Sequence, residues 1–215
     1  AINPDIYRDK IVWMDNRSGN LDVYMYSLST NQETRITTNL SGQYVPAIYG
    51  DKIVWHDRRN GNWDIYMYSL STSEETQITD YTSSQTNPNV YEDKIVWEDG
   101  RNGNADDIYI YDLSTGQETR ITTDPYHQAV PAIYGNRIVY EDYRNGDYAD
   151  IYMHDLFTGQ ESRITTEPSG QWEPQIFDNK IVWADDRNWA IYMYDLSVPS
   201  NPTLDVGNDG DVEWS

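Results

Sequence analysis

The stretch IYGDKIVW, Ile48 to Trp55, decides the fold, because it comes back along the whole chain. It appears as IYRDKIVW from Ile6, VYEDKIVW from Val90, IYGNRIVY from Ile133 and IFDNKIVW from Ile176, at spacings of 42, 42, 43 and 43 residues. A second phrase follows each copy: DVYMYSL from Asp22, DIYMYSL from Asp64, DIYIYDL from Asp107, DIYMHDL from Asp150 and AIYMYDL from Ala190. A third closes four of them: ETRIT from Glu33, ETQIT from Glu75, ETRIT from Glu118 and ESRIT from Glu161. In the fifth copy NPTLDVG from Asn201 stands where that phrase should fall.

Within one repeat the pattern predicts four short strands. Strand A is Pro46 to Tyr49, and the turn Gly50-Asp51 leads to strand B, Lys52 to Asp57. The loop Arg58 to Trp63 leads to strand C, Asp64 to Leu70, and a Ser/Thr turn to strand D, Glu75 to Thr79. Runs of four to seven residues between turn signals, with no helical period, indicate an all-β repeat. Four strands in about 42 residues is the unit of a β-propeller blade. Ile65, Tyr66, Met67 and Tyr68 are large on both faces of strand C, as expected for sheets stacked face to face rather than wetted on one side. Strand D is polar, which suits an outermost edge that must not pair with other chains.

The expected fold is therefore all-β: a five-bladed β-propeller of four antiparallel strands per blade, spanning 1–207, with repeats starting near 3, 45, 87, 130 and 173. Residues 208–215 match no repeat and read as a tail or the start of a linker. The fifth repeat departs from the others, because Arg187 to Ile191 replaces the longer Arg144 to Ile151.

Units such as IYGDKIVWHDRRNGNWDIYMYSLSTSEETQIT, from Ile48, resemble the WD40-like repeats of TolB-type propellers, and are similar above all to the propeller repeats of surface-layer-type proteins of methane-producing archaea. The resemblance covers roughly residues 3 to 200. It implies a propeller fold, no enzymatic activity, an extracellular or cell-surface location and an adhesive or scaffolding role. TolB repeats carry an S-P-D-G turn between the first two strands; this chain has Gly50-Asp51 or Glu92-Asp93 there, so a TolB partner is not carried over.

Charge narrows the partners. Thirty-six acidic against 15 basic residues give a formal charge of −21, which repels phosphate backbones and sets nucleic acid and anionic membranes aside. No apolar run reaches the length of a membrane span. The absence of cysteine excludes disulfides and thiolate metal sites. The aromatic content is lopsided, with 19 Tyr and 8 Trp against 2 Phe, which favours side chains with an apolar body and a polar tip.

The variation between repeats points to a binding face. A–B and C–D turns barely change, whereas B–C loops and D–A connections differ most, and propeller geometry puts these two loop sets on one face. Candidate ligand-binding residues there are Tyr44, His56, Arg58, Trp63, Glu98, Tyr126, His127, Glu141, Tyr143 and Trp172, with Tyr148 and Trp189 alongside. Irregular aromatics and charges on a regular frame suit a glycan, whose C–H faces stack on rings, or a surface protein, whose binding energy concentrates in Trp, Tyr and Arg. A structural spacer that binds nothing specific is the alternative reading, and a glycosidase-like enzyme the third.

The loop acids and the strand A carboxylates bear on two other chemistries. Asp57, Asn60, Asn62 and Asp64 alternate around Gly61 as oxygen ligands do in calcium loops, but no Glu closes an EF-hand series. The same residues make a hairpin turn with Asn-Gly at positive φ. No cofactor is expected, with calcium the one candidate. Five-bladed glycosidases need paired carboxylates around a channel; the matching strand A positions are Asp5, Ala47, Asn89, Ala132 and Gln175, with Glu173 near in sequence. His56, His127 and His154 occupy non-equivalent positions in three repeats, against a shared metal site. The chain is expected not to be an enzyme. Its oligomeric state is left open by the sequence.

Overall fold

The computed structural model describes residues 2–103 and 105–198, and the backbone of 204–205. The tail proposed for 208–215 lies outside the described residues. The chain divides into two compact units, residues 1–120 and 121–215.

The first unit holds three four-stranded antiparallel sheets. Repeat 1 is β1 (Ile2–Tyr7), β2 (Lys10–Asp15), β3 (Asp22–Ser27) and β4 (Gln32–Arg35). Repeat 2 is β5 (Gln43–Tyr49), β6 (Lys52–Asp57), β7 (Asp64–Ser69) and β8 (Glu74–Gln77). Repeat 3 is β9 (Gln85–Tyr91), β10 (Lys94–Asp99), β11 (Asp107–Asp112) and β12 (Gln117–Arg120). The second unit holds two more. Repeat 4 is β13 (Gln128–Tyr134), β14 (Arg137–Asp142), β15 (Asp150–Asp155) and β16 (Gln160–Arg163). Repeat 5 is β17 (Gln171–Phe177), β18 (Lys180–Asp185), β19 (Ala190–Asp195) and β20 (Leu204–Asp205). Each sheet is a simple meander in chain order, and no described segment is helical. These are the blades of a five-bladed β-propeller. The atypical NPTLDVG segment does supply the fifth D strand, with Leu204 paired to Met193 and Asp205 to Tyr192.

The sheets pack by one rule. Ala47, Val54 and Ile65 on one face of repeat 2 meet Val90, Ile95, Trp97 and Tyr109 of repeat 3. Val12 and Val23 of repeat 1 meet Ile48, Ile53, Trp55 and Tyr66 of repeat 2 in the same way. In the second unit Ala132, Val139 and Ile151 meet Ile176, Ile181, Trp183 and Tyr192. Trp55, Trp97 and Trp183 are almost fully buried, and burying an aromatic of this size stabilises by roughly 2–3 kcal/mol. Strands β4, β8 and β16 are exposed along their whole length, as an outer edge should be.

Strand A begins earlier than the sequence pattern predicts, at Gln43 rather than Pro46. The reason is a bulge. Register shifts between Tyr44 and Ala47, and Val45 has φ 50°. The residue before proline takes this left-handed conformation in every repeat: Asn3, Val45, Asn87, Val130 and Glu173. An extra residue there turns the leading half of the strand and keeps it paired. Strand D is also shorter than expected, because Thr79 leaves the edge and its Oγ1 accepts the Ile65 N–H at 2.8 Å.

Candidate functional site

The B–C loop and the D–A connection are tied together within a repeat. In repeat 2, Asn62 Nδ2 donates to the carbonyls of Tyr81 (2.7 Å) and Ser83 (2.9 Å), and the Gln85 N–H donates to the Trp63 carbonyl at 2.7 Å. Asn20 binds the Asn39 and Ser41 carbonyls in repeat 1 by the same geometry.

Beneath these loops lies a buried polar layer. Gln43, Asp57 and Asp64 are almost wholly inaccessible. Asp57 Oδ2 accepts from Gln43 Nε2 at 3.1 Å and Arg59 Nη2 at 2.5 Å, and Arg59 reaches on to Glu75. The Asp–Arg–Glu chain recurs as Asp15–Arg17–Glu33, Asp99–Arg101–Glu118 and Asp142–Arg144–Glu161. Each arginine also lies over a strand C tyrosine, at 4.1 Å from the ring centroid for Arg59 and Tyr66.

Of the four calcium candidates, Asp57 and Asp64 belong to this layer, while Asn62 is half-buried and Asn60 exposed. Asn60 Nδ2 donates to Asp64 Oδ2 (3.2 Å) and the Tyr66 hydroxyl (2.7 Å), and Asn62 donates to Asp64 Oδ1 (3.1 Å). The carboxylates of Asp57 and Asp64 thus accept from the loop's own donors. Among the described residues no cluster of three or more His, Asp or Glu side chains could hold a metal ion. Burial pushes the Asp64 carboxyl up. Its counterparts Asp22, Asp107 and Asp150 each face a strand D arginine, Arg35, Arg120 and Arg163, whereas from strand D Asp64 receives the neutral Gln77 amide.

The ligand-binding candidates divide into two kinds. His56, Glu98 and Glu141 are not on loops. They sit on β6, β10 and β14 and are 7%, 6% and 4% exposed. Two of them reach the bulge of the following repeat: His56 Nδ1 accepts the Asn87 N–H at 3.1 Å, and Glu141 Oε1 accepts the Glu173 N–H at 2.9 Å. Glu98 accepts from Thr86 Oγ1 and Asn87 Nδ2. Burial lowers the His56 imidazole to about 4. The sequence reading placed these three on the loop face because they differ between repeats; for His56 and Glu141 the difference instead concerns how adjacent sheets join, and for Glu98 how β10 holds the bulge of its own sheet.

The other kind is aromatic and accessible. In repeat 2, half-buried Tyr44 and Trp63 meet edge to face at 5.1 Å between centroids. His56 stacks against Tyr44 at 5.7 Å, and exposed Arg58 lies 5.5 Å over Trp63. In repeat 5, Trp172 and Trp189 pair at 6.5 Å, and Trp189 is 80% exposed. Both pairs occupy the same positions, the second residue of strand A and the residue before strand C. A glycine lies under each first ring: a Cβ on Gly42 would come within 2.7 Å of Tyr44, and one on Gly170 would overlap Trp172. Elsewhere these paired positions hold Ile2 and Leu21, Thr86 and Asp106, Ala129 and Ala149. In repeat 4, His127 and Tyr143 approach to 5.4 Å, the Tyr143 hydroxyl donates to Glu141, and Tyr126 and Tyr148 are each 55% exposed. A cleft of about 320 Å³ opens beside Tyr148, with walls from Asn145, Asp147, Arg163, Glu167 and Ser169.

The carboxylates weighed for catalysis do not converge within either unit. Asp5 Oδ2 accepts the Ile48 N–H at 2.7 Å, and burial pushes its carboxyl up. Glu173 is exposed on the bulge of β17. The sequence reading missed Gln43, Gln85, Gln128 and Gln171, each fully buried at the start of strand A. Their signal was invariance at a position where a surface loop would drift.

No protein-family model matches the sequence, and no curated protein matches it either. Solved structures do match. TolB from Acinetobacter baumannii superposes with a TM-score of 0.72 at 19% identity, over 91% of this chain and 51% of that one. The chain therefore spans about half the length of that protein. The β-propeller domain of the Trilobed protease from Pyrococcus furiosus gives 0.70 at 17% identity, over 94% and 67%. A TolB structure from Agrobacterium tumefaciens gives 0.66 at 18% identity, over 94% and 76%. At such identities the likeness is one of fold, and the fold shared is that of the TolB-type β-propellers.

Proposed function

We infer that the chain is a non-enzymatic binding module of a cell-surface or secreted protein, and that it holds a glycan on the side of its B–C loops and D–A connections. The observation that carries this reading is the pair of aromatic platforms, Tyr44 with Trp63 and Trp172 with Trp189, each laid over a glycine. A core that needed only volume would not remove a side chain to admit a ring that stays accessible. Rings of this kind stack on the C–H face of a sugar, and neighbouring amides and carboxylates take its hydroxyls. The net charge of −21 keeps such a surface away from anionic polymers, so the favoured glycans are neutral.

The test is a glycan array with wild-type protein, Trp63→Ala and Trp172→Ala. Binding of neutral glycans by wild type, weakened in both variants, is the expected result. Signal that survives in both removes the platforms from the site. No glycan signal at all turns the reading to a surface protein, for which Arg58 over Trp63 is the natural anchor, or to a spacer without a ligand.

A further inference from the structure

In repeats 1 and 2 an asparagine closes the notch between the B–C loop and the D–A connection. Asn20 and Asn62 stand two residues before Asp22 and Asp64, which open strand C. Each gives its side-chain amide to two main-chain carbonyls of the connection, those of Asn39 and Ser41 in repeat 1 and those of Tyr81 and Ser83 in repeat 2. Repeat 4 has Tyr148 at this position. The backbone fixes the correspondence: the Gln171 N–H donates to the Ala149 carbonyl at 3.0 Å, as the Gln85 N–H donates to that of Trp63. The carbonyls in the places of Tyr81 and Ser83 then belong to Glu167 and Ser169, four and two residues before Gln171.

A phenol has no amide to give, and Tyr148 is 55% exposed rather than folded into the notch. The one residue by which this loop is longer than that of repeat 2 brings Asp147, whose carboxylate accepts and does not donate. The Ser169 carbonyl keeps the Gln171 amide, as that of Ser83 keeps Gln85, but the loop's amide is gone. In its place lies the cleft of about 320 Å³ between Tyr148 and the segment 166–169. Acceptors dominate its walls, through Asp147, Glu167 and the connection. Arg163, which holds Asp150 at 2.9 Å, is the guanidinium among them. Pro168 and the Tyr148 ring are its apolar surface.

A ligand that fits must donate where the asparagine amide donates in repeats 1 and 2, and accept from a guanidinium. It must also set a small apolar group on Pro168 and a C–H face on Tyr148. An acetamido sugar has all four parts: amide N–H, amide carbonyl, acetyl methyl and pyranose face. We propose that this cleft is a subsite for the acetamido group of an N-acetylhexosamine, with Tyr148 stacked on the sugar ring. The subsite rests on the reading of the loop side as a glycan-binding surface, and adds which sugar that surface selects. Such a sugar is uncharged, so the net charge of −21 does not oppose it.

The experiment is an NMR titration of the full, nitrogen-labelled chain with the methyl glycosides of N-acetylglucosamine, glucose and glucosamine. The acetylated sugar is expected to shift the backbone amides of Asp147, Tyr148, Glu167 and Ser169, and to bind there about tenfold more tightly than the glucoside, as the loss of one or two hydrogen bonds would give. Tyr148→Asn restores the residue of repeats 1 and 2. It should erase that preference and leave the response of the Trp172 and Trp189 indole N–H groups to sugar unchanged. Tyr148→Phe keeps the ring and should keep the preference. Equal binding of the glucoside at the cleft overturns the proposal, and so does an undiminished preference in Tyr148→Asn. A stronger response to the glucosaminide overturns it as well, because the acidic wall would then be reading an ammonium group. Sugars that move the tryptophans but leave the cleft still remove the subsite alone. No response to any sugar on the loop side removes the glycan reading and the subsite with it.

Discussion

The backbone N–H of Asn87 donates to Nδ1 of His56 at 3.1 Å, joining the bulge of one sheet to the second strand of the sheet before it. An acceptor nitrogen cannot carry a proton, and burial already opposes charging this ring. The imidazole sits at about 4 in the folded chain against an ordinary 6.5. Between those values the unfolded chain binds the proton first. Stability is therefore full above pH 6.5 and falls as pH drops toward 4, by on the order of 3 kcal/mol. Asp5 and Asp64, raised by burial, tilt the curve the other way, so the readout is a difference. His56→Gln keeps an acceptor and removes the titration; urea melts at pH 7 and pH 4.5 should show a smaller acid loss in the variant. Equal losses would exclude His56 as the source.

Arg59 neutralises a carboxylate with no access to water. Asp57 is fully buried, and its Oδ2 depends on Arg59 and Gln43. Removing the cation strands the charge, which costs roughly 3–5 kcal/mol. Arg59→Met should lower the melting temperature sharply, and Asp57→Asn in the same chain should recover part of it. Because the loop's oxygens already have donors, excess calcium and excess chelator should give the same melting curve for wild type. A calcium-dependent rise would return Asp57, Asn60, Asn62 and Asp64 to the role of ligands.

Repeat 2 lacks a pairing that three other repeats possess. Asp22, Asp107 and Asp150 face Arg35, Arg120 and Arg163, but Asp64 faces Gln77. Gln77→Arg should supply the missing cation and stabilise by about 1 kcal/mol at pH 7, as repeat-consensus changes commonly do. Carboxylate titration by NMR should show Asp64 moving down from its raised position. No change in either quantity would mean that the outer strand cannot place the guanidinium as the other repeats do.

Val45 and Val130 hold φ of 50° and 49° on β-branched side chains. That region is unfavourable for such residues by roughly 1–2 kcal/mol. Repeats 1 and 3 use Asn at the same place, Asn3 and Asn87. Val45→Asn should raise stability by about 1 kcal/mol in chemical denaturation. A loss would show that packing of the valine outweighs its backbone strain.

Nearly all of the strand order was legible in the sequence, because phrases such as DKIVW and DIYMY recur with their turns intact. The bulge was not. It depends on a left-handed residue before proline, and Asn, Val and Glu share no side-chain signal for it. That is why Tyr44 was read as connection when it lies on β5. The candidate site was legible in its aromatics, whose positions stand out when repeats are compared. His56, Glu98 and Glu141 misled for a physical reason: variation at a buried position that braces a strand A bulge looks, in sequence, like variation on a free surface. Asp57 and Asp64 looked like ligands for the complementary reason, since an acidic loop shows its charge but not the arginine folded back on it.

The bend before each proline persists while its residue changes from Asn to Val to Glu. What is inherited from copy to copy is thus a backbone path, enforced by neighbours, rather than an amino acid. Such a position is open to substitution without loss of shape. It offers five sites, one per repeat, where a chemical handle could be written into this protein on a frame that does not move to meet it.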